Sequence, residues 1–175
     1  MKFETTDIPG VCVVALNRIE DERGFFARAF CETEFEEQGL VSRFVQANTS
    51  FNRLAGTLRG MHYQVAPSIE TKIVRCIRGS IFDVVVDLRK DSPTYRKHFG
   101  IELTADSRTA LVVPANCAHG FQTLQDDSEV FYLVSAPYTP ECERGVRHDD
   151  AALSIDWPLP VSNISEKDAS WPLLE

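Results

Sequence analysis

Lys72–Leu88, KIVRCIRGSIFDVVVDL, reads as two short apolar strands, Lys72–Ile77 and Ile81–Leu88, separated by the turn signal Arg78-Gly79. The same texture continues on both sides. His98–Leu103, Ala110–Val113, Gly120–Leu124 and Val130–Ser135 are short runs punctuated by Asp91-Ser92-Pro93 and Asp126-Asp127. Upstream, Val11–Leu16, Phe25–Phe30 and Arg43–Ser50 read as strands, with the turn Asp21-Glu22-Arg23-Gly24 before the second. Thr33–Gln38 reads as one short helix, capped by Thr33, with Glu36 three residues on and Gly39 as its stop. About eight strands with so little helix predict an all-β, antiparallel sandwich or barrel.

The chain is long enough for one full core and short for two, so a single domain over 1–175 is expected. It divides into N-terminal strands and a helix (1–50), a barrel core (51–136) and an irregular segment (137–175). Pro140, Pro158, Pro160 and Pro172 lie in that last segment, which is expected to pack along the barrel mouth rather than add strands. A net charge of −8 gives no electrostatic support for nucleic-acid binding. No run approaches the ~18 apolar residues of a membrane span. The start lacks the basic region and small-residue cleavage site of a signal peptide. Five cysteines, widely spaced and without CxxC pairs, predict a reduced, cytoplasmic protein.

Chemistry concentrates in Thr57–Lys72, TLRGMHYQVAPSIETK, where polar residues interrupt strand-like sequence. A buried polar group must be satisfied or used. Strand alternation puts Leu58, Gly60, His62 and Gln64 on one face and Lys72, Val74 and Cys76 on one face of the next strand. His62 is the candidate base and Lys72 the cation for the charge it creates. Alternation sends Arg59 to the other face, so Gly60 is expected at a bulge or strand end.

The segment Pro114-Ala115-Asn116-Cys117-Ala118-His119 resembles the second PxGxxH motif of cupin barrels, with Asn116 in the glycine position. The first motif, His62-Tyr63-Gln64, lacks one imidazole of the usual HxH pair. A metal set of His62, Gln64, Glu70 and His119 is therefore poor in strong ligands.

Taken in order, GTLRGMHYQ, ETKIVRCIRGSIFDVVVDLRKDSPTY, VPANCAHGFQTL, EVFYLVSAPYTPECE and ISEKD resemble the dTDP-4-dehydrorhamnose 3,5-epimerase family, over nearly the whole chain from Arg23 onward. The resemblance implies a cupin-like jelly roll with a few short helices, no metal, no cofactor and a homodimer. It implies epimerisation of a nucleotide-diphospho-4-keto-6-deoxyhexose at C3, C5 or both.

On the same resemblance, His62 is the base, Asp168 its carboxylate partner, Lys72 the enolate's cation and Tyr132 the opposite acid. Lys72 is also a candidate for the positive charge that the Tyr132 phenolate needs. Arg23, Arg59 and Lys167 match cations around the pyrophosphate and sugar. His119, Gln46, Asn48, Tyr138 and Glu143 match further ligand contacts. Three positions depart from the family pattern. Arg28 replaces the acidic residue of RGFFxE, and Ala47 and Thr49 stand in the family's QDNHS. An arginine donates where a glutamate would accept, which leaves CDP and GDP open beside dTDP. A metal-dependent cupin enzyme and a non-catalytic sugar-nucleotide-binding module are the alternative readings. For a homodimer, short apolar strands such as Ile81–Val86 are the expected shared sheet.

Overall fold

The computed structural model describes residues 1–174. In chain order its elements are β1 (Lys2–Thr5), β2 (Cys12–Ala15), β3 (Ile19–Asp21), β4 (Gly24–Phe26), α1 (Glu32–Glu37), β5 (Gln46–Asn52), β6 (Thr57–Gln64) and β7 (Lys72–Arg78). Then follow β8 (Ser80–Asp87), β9 (His98–Thr104), β10 (Ala110–Val113), β11 (Cys117–Thr123), β12 (Ser128–Val134), a 3₁₀ turn at Pro140–Cys142, β13 (Glu143–Gly145), β14 (Asn163–Ile164) and α2 (Glu166–Ala169).

Two sheets face each other. One runs β1-β2-β10-β7-β12-β5; the other runs β13-β6-β11-β8-β9, with β14 added alongside β6. Strands consecutive in sequence often lie in different sheets, as β6 and β7 do, and this is the cupin-like jelly roll. The alternation of the two strands quoted at the outset explains the core. Val74 and Cys76 of β7 meet Ile81 and Val85 of β8 between the sheets, with Leu103, Leu111, Val113, Phe121 and Val130. Outward residues of the first sheet, Val14, Ile73 and Val112, pack against Phe35 of α1. Outward residues of the second, Met61, Val84, Val86 and Ala118, pack against Val146 and Leu153 of the C-terminal segment. No helix among the described residues is long and apolar enough to cross a membrane.

Several expectations change. Strand Phe25–Phe30 shrinks to Gly24–Phe26, because the chain leaves its hairpin to bring Phe30 against Phe35, with ring centroids 5.0 Å apart. Thr33 does not cap α1. Cys31 occupies that position without a side-chain cap, and Glu32 and Glu34 complement the helix's positive end instead. Gly39 follows the helix with a φ of +68°, the left-handed stop that glycine allows. The C-terminal segment does add strands: β13 pairs antiparallel and β14 parallel with β6. Its prolines fall outside these short pairings, and much of the segment covers the outer face of the second sheet. Finally, β8 sits between β11 and β9, so Ile81–Val86 has no free edge to share with another chain.

Candidate active site

Two adjoining cavities of about 390 and 370 Å³ open between the sheets, and His62, Lys72 and Tyr132 line both. His62 comes from β6 of one sheet, Lys72 and Tyr132 from β7 and β12 of the other. His62 therefore stands on one wall and Lys72 and Tyr132 on the facing one. The bulge expected at Gly60 is present: His119 pairs with His62, but Phe121 pairs with Arg59, so β6 carries one extra residue. That residue turns Arg59 back toward the cavity that His62 lines. Only glycine fits here, since a Cβ on Gly60 would lie 2.5 Å from Gly120 Cα, and its φ is +125°.

Asp168 reaches His62 across 106 positions of chain. The parallel pairing of β14 with Thr57 and Leu58 delivers α2 to this end of β6. Ser165 Oγ then accepts from the Asp168 N–H and caps the turn. Asp168 Oδ1 lies 2.6 Å from His62 Nε2, and Oδ2 accepts from the Gly60 N–H at 3.3 Å. Burial works against the Asp168 charge, but the His62 and Gly60 hydrogen bonds win and hold its carboxyl below the usual range. A carboxylate accepts only, so Nε2 carries the proton and Nδ1 keeps the free lone pair.

Beside it lies a second such pair. His119 Nε2 is 2.7 Å from Asp83 Oδ1, with Asp83 fully buried. Lys72 Nζ lies 3.0 Å from Glu70 Oε1, and Gln64 donates to Glu70 Oε2 at 3.1 Å. Burial pushes the Tyr132 phenol up, the Glu70 carboxylate adds to this, and the Arg59 guanidinium opposes it without cancelling it. Lys72 lines both cavities with Tyr132. Lys72 already has a carboxylate.

Toward the outer end, Tyr138 Oη donates to Glu143 Oε2 at 2.8 Å, and the same carboxylate oxygen accepts from Lys167. Burial disfavours the Glu143 charge, yet Lys167 and Tyr138 together hold its carboxyl low. Gln46 and Asn48 line the same cavity and are joined at 2.8 Å. Arg59 Nε donates to Asn52 Oδ1 at 2.7 Å. Arg23 and Arg28 are not brought to this cavity. Arg23 pairs with Asp21 at 2.5 Å on the exposed β3–β4 hairpin, and Arg28 pairs with Glu34 at 2.8 Å. Ala47 and Thr49 alternate outward from Gln46 and Asn48 on β5, with Thr49 at the rim of the larger cavity.

Three residues escaped sequence reading. Asp83 had a signal, a lone carboxylate inside the apolar run IFDVVV. Glu70 was weighed only as a metal ligand. Trp171, whose ring sits 6.0 Å from the His62 ring, left no signal in an exposed-looking tail. Among the described residues no group of three His, Cys, Asp or Glu is arranged to hold a metal ion.

A family model described as dTDP-4-dehydrorhamnose 3,5-epimerase matches residues 5–175. The protein of that name from Sinorhizobium fredii is 42% identical over 175 residues, covering 99% of this chain and 90% of its own. The Bacillus anthracis dTDP-4-dehydrorhamnose 3,5-epimerase, solved with TDP and PPi bound, superposes with a TM-score of 0.95 at 39% identity, covering 99% of both chains. A Legionella pneumophila dTDP-6-deoxy-D-glucose-3,5-epimerase, solved in complex with dTDP-4-keto-L-rhamnose, gives 0.91 at 36% identity, over 98% of this chain and 92% of that one.

Proposed function

The chain belongs to the dTDP-4-dehydrorhamnose 3,5-epimerase family, and from that premise we propose how its own residues carry the reaction. It is an isomerase of deoxysugar biosynthesis that epimerises a nucleotide-diphospho-4-keto-6-deoxyhexose. C3 and C5 both flank the C4 ketone, so a proton on either becomes acidic once the enolate is stabilised. His62 Nδ1 takes that proton, and the C–H electrons move to the C4 oxygen, whose charge the Lys72 ammonium balances. The Asp168 carboxylate fixes the ring's orientation and offsets the imidazolium that forms. Tyr132 then gives its hydroxyl proton to the opposite face of the same carbon, and the electrons return to restore the ketone. Solvent resets the phenolate and imidazolium. One observation carries this reading: His62, held by Asp168 of α2, stands on one sheet while Lys72 and Tyr132 face it from the other.

The nucleotide end falls to Tyr138 as a stacking ring, with Gln46, Asn48, Arg59, Glu143, Lys167 and His119 as polar contacts. We take dTDP as the nucleotide, supported by the ligands in the two solved relatives. Arg28 is engaged with Glu34, so it is not committed to reading a base within its own chain. If Arg23 and Arg28 serve the nucleotide, they do so from a second copy in a homodimer. The reducing cytoplasm suits a chain whose five cysteines are all free, four of them buried.

The test is deuterium uptake from heavy water by mass spectrometry, using 4-keto-6-deoxyhexoses on dTDP, CDP and GDP. Two deuteriums with the dTDP series, and little with the others, is the expected result. A single deuterium restricts the enzyme to one centre. Preference for CDP or GDP overturns the nucleotide, and no uptake with any series overturns the acid–base scheme.

A further inference from the structure

Glu70 is paired with Lys72, its side chain is only 9% exposed, and the steps above do not use it. It lies just before β7 and lines the smaller cavity with His62, Lys72 and Tyr132. Both carboxylate oxygens are engaged, Oε1 with Lys72 Nζ at 3.0 Å and Oε2 with Gln64 Nε2 at 3.1 Å. Gln64 is itself buried and immobilised. Its two amide hydrogens are shared among Glu70 Oε2, Ser68 O and Pro137 O, and its Oε1 accepts from the Thr139 N–H at 2.7 Å. The carboxylate therefore hangs from a rigid anchor built of β6 and two loops. A lysine has four rotatable side-chain bonds, and an enolate needs its counter-charge at one place.

We propose that Glu70 is a positioning residue of the epimerisation: anchored through Gln64, it holds the Lys72 ammonium at the wall of the cavity that both share with Tyr132 and fixes a carboxylate on that wall. This rests on the acid–base roles assigned above. Tyr132 can act as the acid only while its phenol keeps the proton. Cations around it work against that, and a fixed carboxylate works for it. The groups lining the cavities around Tyr132 are Arg59 and His62 from β6, Lys72 from β7, His119 from β11 with Asp83 behind it, and Asp168 from α2. At the outer end stand Tyr138 and Glu143, with Lys167 on the latter. The Glu70 carboxylate, on the same cavity wall, raises the phenol and the Arg59 guanidinium lowers it.

Two readouts test the idea on the intact protein. In NMR titration of the tyrosine ring carbons, with Y132F identifying the resonance, E70Q should make Tyr132 lose its proton at lower pH than in the wild type. E70A removes the same charge without putting an amide in its place and must act in the same direction. In kinetics with the 4-keto-6-deoxy sugar nucleotide, E70Q should lower kcat about tenfold, within the ~10²-fold that misplacement of a reacting group can cost. KM should change little, and the alkaline limb of the kcat profile should move to lower pH; E70D, which keeps the charge, should restore the limb. An unmoved Tyr132 resonance, or an unmoved limb with kcat within twofold of wild type, overturns the proposal. Those outcomes, with an active wild type, leave the epimerase reading intact. An inactive wild type would sink that reading, while the NMR titration would still decide the charge that Tyr132 faces.

Discussion

Tyr132 shows what a single residue can be asked to reveal. The role proposed for it, the acid opposite His62, separates proton removal from inversion. In Y132F, His62 can still take a proton and return a deuteron to the same face, so exchange without inversion should persist. Inversion should fall by the ~10²–10⁴-fold typical of a positioned acid. NMR of product stereochemistry alongside mass spectrometry of deuterium content measures both; equal loss of the two, or loss of neither, removes Tyr132 from that role. At this scale His62, Lys72, Tyr132 and Asp168, the four residues proposed for the chemistry, were singled out through the motifs that carry the family resemblance, and they line one cavity. Asp83 and Glu70 were legible only as oddities, because a carboxylate's value lies in its partner, and here that partner sits on another strand or is itself a functional group.

Among elements, the loop between β8 and β9 depends on one side chain. The fully buried Asp87 carboxylate accepts from Arg89 Nε at 2.7 Å, Ser92 Oγ at 2.5 Å and Thr94 Oγ1 at 2.7 Å. Burial alone would raise its carboxyl, but these bonds hold it well below the usual range. The sign follows from linkage. The stabilisation is complete above the unfolded value of ~4 and is lost as pH falls below it toward the folded value. D87A should cost about 3 kcal/mol in urea unfolding at neutral pH, the toll of breaking a buried ion pair from one side. A loss under about 0.5 kcal/mol, the level of an ordinary surface change, would show that the loop holds itself. Strands that are apolar runs bounded by turn signals, such as β7, β8 and β10, were legible in the sequence within a residue or so. Neither β3, three exposed residues, nor β14, two residues long, carries a periodicity to read.

For the whole molecule, the outer face of the first sheet presents Phe51, Ile77 and Phe131, and the nearby hairpin presents Ile19 and Phe26, all exposed. Large apolar side chains gathered on one face favour a partner, and a symmetric dimer is the commonest solution. Sedimentation equilibrium should give twice the 19.7 kDa chain mass. F131D should shift the protein toward monomer without unfolding it, as circular dichroism would check. A wild-type monomer at micromolar concentration would refute the dimer; an F131D dimer as tight as wild type would move the interface elsewhere.

By itself the sequence determined the class of fold and the family, and it named the residues proposed for the acid–base work, because short apolar runs and local motifs are properties of contiguous chain. Only the tertiary structure decided which of them meet. The Gly60 bulge, the parallel pairing of β14 and the facing of two sheets set Arg59, Asp168, Lys72 and Tyr132 around His62. It also separated Arg23 and Arg28 from that cavity and gave Lys72 a carboxylate partner. Such contacts depend on register and sheet packing between distant segments, and no local pattern of residues encodes them alone.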